Sequence, residues 1–183
     1  LLIFLFIFCS LLIYCVFFYR FSLYENIVNN FIVLKHYSDN NAIKSSTIFI
    51  FIYIFCVIFS LPFATFLSLL GGMFFGWHAI IFILFSATFG SSIIFLLAKY
   101  LLPDIFMSFT NVYFKKLKIG FLNNSFTYLL SLRLMPVFPF WVINIVPAFF
   151  NMSLFKYCSA TFIGIIPGTF IYVWIGKNIN EQK

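Results

Sequence analysis

With 183 residues, 64% hydrophobic side chains, only 8% charged ones and an aromatic fraction of 24% that includes 31 phenylalanines, the chain has a composition that excludes a soluble domain of this size. Its formal charge of +7 comes from basic residues set singly or in one short cluster at the edges of apolar segments, which points to lipid headgroups and not to nucleic acid. Two charge-free runs, residues 45 to 98 and 134 to 155, each exceed the roughly 18 apolar residues that mark a membrane span. The fold class is therefore an all-α integral membrane protein. Cys9, Cys15, Cys56 and Cys158 lie in apolar segments without metal-type spacing and read as small buried hydrophobes; no metal site and no cofactor are expected.

Residues 1 to 19 are apolar apart from Ser10 and are followed by Tyr19-Arg20, an aromatic and a cation where a helix reaches the interface. They are too long, and lack the small-residue cleavage site, for a signal peptide, and read as a first span. Ser22-Leu-Tyr-Glu25 is a capping-box pattern. Leu23, Ile27, Phe31 and Leu34 recur after it at helical spacing, which predicts an amphipathic helix lying in the interface. Ser38-Asp-Asn-Asn41 is expected to end that helix with turn residues, and Glu25 and Asp39 are read as a cap and a turn former. Residues 1–45 form one segment of the chain on this reading.

The run from Ser45 to Ala98 would be about 80 Å long as one helix, against a hydrocarbon core of about 30 Å, so it must turn. Pro62 and Gly71-Gly72 are expected to mark the turns: a helix over 46–60, a short broken re-entrant segment over 61–76 that closes at Gly76, and a returning span over 78–101. Ala87, Gly90, Ser91, Ser92 and Ala98 supply small residues for close helix contact, so that span is expected to pack in the interior. His78 beside Trp77 reads as an interfacial or packed histidine. Pro103-Asp104 starts a short helix that is expected to end at Lys115, Lys116 and Lys118 before Gly120, with the lysines serving the helix end and the headgroups.

Arg133-Leu-Met-Pro136-Val-Phe-Pro139-Phe-Trp-Val-Ile-Asn144-Ile-Val-Pro147 places three prolines, an arginine and an asparagine in a run otherwise apolar enough for lipid. Each proline removes a backbone donor and frees a carbonyl four residues back, which in hydrocarbon must be satisfied by protein or by a wet cavity. A re-entrant hairpin from Phe126 to about Phe150 is predicted. The last span, 154–176, is expected to be interrupted by Gly164 and Pro167-Gly168, with Lys177 opening a polar tail that fills 178–183. Both halves of the region 46–177 thus run from a helix to a broken segment to a further span. About four spanning helices and two opposed re-entrant hairpins in an inverted repeat fit this order.

The ordered series Leu61-Pro62, Gly71-Gly72-Met-Phe-Phe75-Gly76, Gly90 with Phe95 and a basic residue at Lys99, Arg133 with Pro136, Pro139-Phe140 and Asn144, and Thr161-Phe-Ile-Gly164-Ile-Ile-Pro167-Gly168-Thr-Phe resembles the DedA superfamily. Its members are also called VTT-domain or SNARE-associated Golgi proteins, and the series looks most like the branch containing the yeast Tvp-type Golgi proteins and many bacterial inner-membrane proteins. The resemblance implies two facing re-entrant hairpins and movement of lipid across the membrane, by phospholipid scrambling, by recycling of a polyprenyl phosphate, or by proton-coupled transport. Lys99 stands where the family usually carries arginine. No acidic residue falls inside the apolar core, which counts against proton coupling.

Arg133 has a functional reading, a planar fork for a phosphate group, and a bland one, a cation at the bilayer edge snorkelling to headgroups. Asn144 either holds broken backbone or touches the headgroup. Pro62, Pro136, Pro139 and Pro147 either open helix ends toward an anion or only shape packing. No catalytic triad, zinc site or ATP motor is visible, so no enzyme is expected. The leading expectation is a scramblase- or flippase-like protein for phospholipid or polyprenyl phosphate, with Arg133, Lys99 and Asn144 at the headgroup and anionic membrane lipids as partners. The alternatives are a proton- or ion-coupled solute transporter relying on Glu25 or Asp39, and a non-transporting membrane organiser. The heavy use of Phe, Ile, Asn and Lys favours a bacterial inner membrane, with a Golgi or ER membrane if the source is eukaryotic.

Overall fold

The computed structural model describes residues 33–101, 112–135, 139–150 and 152–181. The first span expected over 1–19, the capping box at Ser22, Glu25, the helix start at Pro103-Asp104 and Pro136 lie outside these residues. The described chain is helical, with no strand among the described residues, and divides into two units at Ala42.

In the first unit, α1 covers Val33–Asn40. The helix runs through Ser38, Asp39 and Asn40 and turns only at Asn41, later than the turn residues alone suggest. Pairs at i,i+4 explain the extension: Lys35 Nζ lies 2.8 Å from Asp39 Oδ1, and Asn40 Nδ2 lies 3.1 Å from His36 Nε2, contacts that a helix brings together and a turn does not. Both the backbone and the side-chain amide of Asn41 donate to the Tyr37 carbonyl.

The second unit contains α2 (Ala42–Ile58, counted from its first helical residue), α3 (Ala64–Phe75), α4 (His78–Leu101), α5 (Val112–Leu134), α6 (Phe140–Ile145) with a 3-10 turn over Val146–Phe150, and α7 (Leu154–Glu181). Helices α4 and α7 are long and apolar enough to cross a membrane, and a third candidate arises only if α1 and α2 are counted together as one bent span. Phe51, Phe55, Phe59, Phe85, Phe89 and Phe155 are exposed, as lipid-facing side chains must be. The chain is an integral membrane protein.

The α2 helix stops where Ser60 takes a positive φ of 50°. Its N–H donates to the Val57 carbonyl, and the Leu61 N–H donates to the Cys56 carbonyl, the paired bonds of a Schellman cap with Ser60 in the left-handed position usually given to glycine. Pro62 follows, where the helix cannot resume. The next break is at Gly76, with φ 56° and ψ −136°, a conformation closed to side chains with a Cβ. The span that follows begins at His78 and ends at Leu101, at the bounds expected.

Gly71 and Gly72 do not break the chain; both are buried inside α3. A methyl group built on Gly72 would stand 2.9 Å from Val173 Cα, and one on Gly176 would stand 3.2 Å from Leu69 Cα. Helices α3 and α7 thus cross backbone to backbone through a glycine from each. Lipid offers no hydrophobic drive for helices to associate, so such close approach supplies the attraction instead. Likewise Gly90 of α4 sits against Val57 and the Ile54 carbonyl of α2, and Ala87, Gly90, Ser91 and Ala98 are buried, as the small-residue run predicted.

Three further expectations are corrected. The helix containing the lysine cluster runs on through Gly120, which makes room for the Tyr128 ring, and breaks at Asn124 (φ −153°, ψ 92°). Asn124 Oδ1 accepts from the Thr127 N–H at 3.2 Å, capping the helix that carries Arg133. Gly164, Pro167 and Gly168 do not interrupt α7, which is continuous over 28 residues; one missing donor is tolerated in a helix packed against α3, α4 and α5 along its length. Lys177 does not end the helix either, since α7 continues to Glu181.

Two buried clusters organise the unit. One joins Phe49, Tyr53 and Val57 with Ala79, Ile83, Ala87 and Val173. The other gathers Phe95, Phe121, Leu129, Ile143, Phe150 and Tyr157 among others.

Candidate functional site

Tyr157, Thr161, Gly164 and Gly168 lie at i, i+4, i+7 and i+11 on α7 and so share one face. Arg133 stands in the last turn of α5, and Gly164 lets that turn approach: a methyl group built on Gly164 would stand 2.5 Å from Arg133 Cβ. Only with a bare backbone there can the arginine reach past α7 into the protein.

Its guanidinium is held from several sides. Nη2 donates to Asn144 Oδ1 at 2.9 Å, to Tyr157 Oη at 3.0 Å and to Thr161 Oγ1 at 3.2 Å. The Phe140 and Tyr157 rings lie 5.6 and 5.7 Å from Cζ, within cation–π range. The Tyr157 hydroxyl donates onward to Asn144 at 3.5 Å. Asn144 is fully buried on α6 and Tyr157 on α7. All three acceptors are neutral oxygens, so among the described residues the cation is positioned without being neutralised. Two donors in this cluster, Arg133 Nε and Asn144 Nδ2, are buried without an acceptor among the described residues.

Arg133 forms part of the wall of a cavity of about 460 Å³. Tyr53 of α2, Ser68 of α3, Ala87 of α4, Phe140 of α6 and Thr169 of α7 also line it, so both halves of the unit contribute. The Tyr53 hydroxyl and Ser68 Oγ are 3.2 Å apart. Pro167 and Gly168 line the same cavity, and a methyl group built on Gly168 would meet nothing within 4 Å. Their place is in the cavity wall, not at a helix break. A second groove of about 640 Å³, between α4 and α7, is lined by apolar and small residues such as Phe85, Phe89 and Phe162 and by no charged one.

The other expected site residues fall as follows. Asn144 meets Arg133 and does not line the cavity; it holds the arginine. Lys99 is placed elsewhere: its Nζ donates to the Met152 carbonyl at 3.4 Å and lies 6.0 Å from the Phe95 ring. Phe95 stacks on Tyr157 with centroids 4.3 Å apart, so the contacts run Lys99, Phe95, Tyr157, Arg133, with the cations at the two ends. The cavity lined by Arg133 does not include Lys99. Pro139 caps α6, its carbonyl accepting from the Val142 N–H, and Pro147 is buried in the 3-10 turn. Pro62 sits in the exposed turn after α2.

Sequence reasoning gave no site role to Tyr157, Tyr53 or Ser68, nor to Thr161 and Thr169, which it had only as members of the family-like series. The signal for Tyr157 and Thr161 was present: a tyrosine and a threonine four apart, in register with Gly164, on a largely apolar helix. Nothing in the spacing of Tyr53 and Ser68 shows that they meet across a turn.

A family model described as VTT domain matches residues 61–178. The chain is 32% identical over 158 residues to the Transmembrane protein 41 homolog of Dictyostelium discoideum, an alignment covering 81% of this chain and 46% of that protein. It is 27% identical over 158 residues to the Caenorhabditis elegans Transmembrane protein 41 homolog, covering 81% and 62%. With human Transmembrane protein 41B it shares 26% identity over 154 residues, covering 81% and 53%. The chain thus spans about half the length of these curated relatives. No solved structure matches it.

Proposed function

The chain belongs to the VTT-domain family of the DedA superfamily, and on that premise we propose that it moves phosphate-bearing lipid, phospholipid or polyprenyl phosphate, between membrane leaflets. The observation that carries this reading is a cation held, among the described residues, by neutral groups only, Arg133, in the wall of a cavity built from both halves of a membrane domain. A phosphate headgroup is the counter-charge such a site lacks. The headgroup crosses beside Arg133 while the acyl tails stay in lipid, and Asn144 sets the arginine's position. The order helix, break, short helix, break, long helix recurs as α2–α3–α4 and α5–α6–α7; on our reading α2–α3 and α5–α6 are opposed re-entrant hairpins of an inverted repeat. The eukaryotic sources of the relatives named above favour a eukaryotic membrane over a bacterial inner membrane.

Reconstitution into liposomes carrying a fluorescent phosphatidylcholine or polyprenyl phosphate tests the proposal. Faster exchange between leaflets than in empty vesicles is expected, lost in Arg133→Gln. Exchange equal to that of empty vesicles removes the reading. A solute transporter would instead show gradient-dependent uptake that is lost when Glu25 or Asp39 is neutralised, and a membrane organiser would tolerate Arg133→Gln.

A further inference from the structure

An arginine offers a phosphate group two bidentate edges. One is the end formed by Nη1 and Nη2, and the other is the side formed by Nε and Nη2. Both use Nη2. In this protein the two Nη2 hydrogens serve three protein acceptors, Asn144 Oδ1, Tyr157 Oη and Thr161 Oγ1. Nε is buried. Nη1 takes part in none of these bonds, and Arg133 lines the cavity. The fork that makes arginine suited to phosphate is therefore closed by the protein itself.

Resting on the lipid-moving reading above, we propose that Arg133 meets its anionic substrate through the single nitrogen Nη1, as a point charge without the two-nitrogen fork, and that Asn144, Tyr157 and Thr161 are positioning residues that keep Nη2 out of the site. The substrate class follows from this. A single nitrogen needs only one accessible anionic oxygen, so the site takes phosphodiesters and phosphomonoesters alike. It also releases them readily, because a bidentate clamp on a headgroup in transit would hold it. Lysine, a compact point charge with no fork, is then an adequate substitute where glutamine is not.

Arg20 and Arg133 are the only two arginines of the chain, which makes the test tractable in the wild-type protein. With ¹⁵N-labelled arginine, in a maltoside detergent that carries no phosphate, Nη1 and Nη2 of Arg133 are assigned against Arg133→Gln and titrated with dihexanoylphosphatidylcholine and with dihexanoylphosphatidic acid. The expected result is a shift of Nη1 with either lipid while Nη2 stays in place. A shift of both nitrogens, or of neither, overturns the inference. In liposomes, Arg133→Lys is expected to exchange lipid within about threefold of wild type, while Arg133→Gln falls by about tenfold or more; a lysine variant that folds and is as slow as the glutamine variant also overturns it. The two failures are separate. Wild-type protein that moves no lipid but shows the Nη1 shift sinks the transport reading and leaves single-nitrogen binding in place, whereas active protein with both nitrogens shifted does the reverse.

Discussion

Asn144→Asp separates the charge of the Arg133 site from its architecture. The substitution is nearly isosteric, and the carboxylate keeps the 2.9 Å contact with Arg133 Nη2. It removes no satisfied bond at the other side-chain atom, because Asn144 Nδ2 has no acceptor among the described residues. For the fold, a new ion pair at about 4 Å is attractive by about 4 kcal/mol at an effective dielectric of about 20, against a cost of several kcal/mol for burying the carboxylate. The two nearly offset, and the thermal midpoint in detergent is expected to stay within a few degrees of wild type. For an anion on the far side of the guanidinium, roughly 6 Å from Asn144 Oδ1, the added negative charge is repulsive by about 3 kcal/mol on the same scale. That is a loss of about a hundredfold. Asn144→Ala removes the acceptor but adds no charge, and Arg133 keeps Tyr157 and Thr161, so its exchange is expected to fall by less than about tenfold while its stability falls more. Leaflet exchange should therefore rank wild type, Ala, Asp, and thermal stability should rank Asp above Ala. Exchange by Asn144→Asp equal to wild type, or above that of Asn144→Ala, refutes the view that an unneutralised Arg133 acts on an anion.

Gly72→Ala forces α3 away from the Val173 backbone and is expected to cost about 1–3 kcal/mol, whereas Gly168→Ala meets nothing within 4 Å and should be neutral or slightly stabilising; midpoints measured side by side in detergent decide it. Ser60→Gly relieves a left-handed serine at the end of α2 and should stabilise by about 1 kcal/mol, read as a raised midpoint with leaflet exchange unchanged. If α2–α3 is re-entrant, a membrane-impermeant maleimide should label Lys44→Cys and His78→Cys from the same side, and Tyr100→Cys from the other, in a background without native cysteines. Labelling of the first two from opposite sides would make α2 and α3 together an ordinary crossing.

How far the fold was legible depended on what each residue had to do. Length and charge-free runs set the class, because a membrane leaves helices as the economical way to satisfy the backbone in segments this long and apolar. The bounds of α4 followed from the turn chemistry on either side of it. Glycine was where sequence reasoning went astray. Gly76 breaks the chain through its own dihedral angles, whereas Gly71, Gly72, Gly164 and Gly176 are glycine because another element lies against them. Local sequence cannot tell these cases apart: a positive φ is a property of one residue, but a close approach belongs to two segments a hundred residues apart, as with Gly72 and Val173. Pro167 misled for the same reason, since the packing of α7 outweighs a single missing bond.

The site divides along the same line. Arg133 stood out because an arginine inside an apolar run demands an account wherever the chain puts it, and Asn144 stood out for the same reason. Their meeting was not legible, because Pro136 and Pro139 fall within the 11-position separation between them and break any helical register that could be read across it. Tyr157 and Thr161 were passed over because each is ordinary in a membrane helix; only the three bonds converging on Nη2 make them distinctive. Those bonds also reverse the meaning of the residue first noticed. An arginine chosen for its fork should leave the fork open, and this one has it filled by the protein, with neutral oxygens that preserve the charge. What the fold conserves at Arg133 is thus a positive charge at a fixed point, and the kinship between Arg133 and a lysine at that point becomes the decisive comparison.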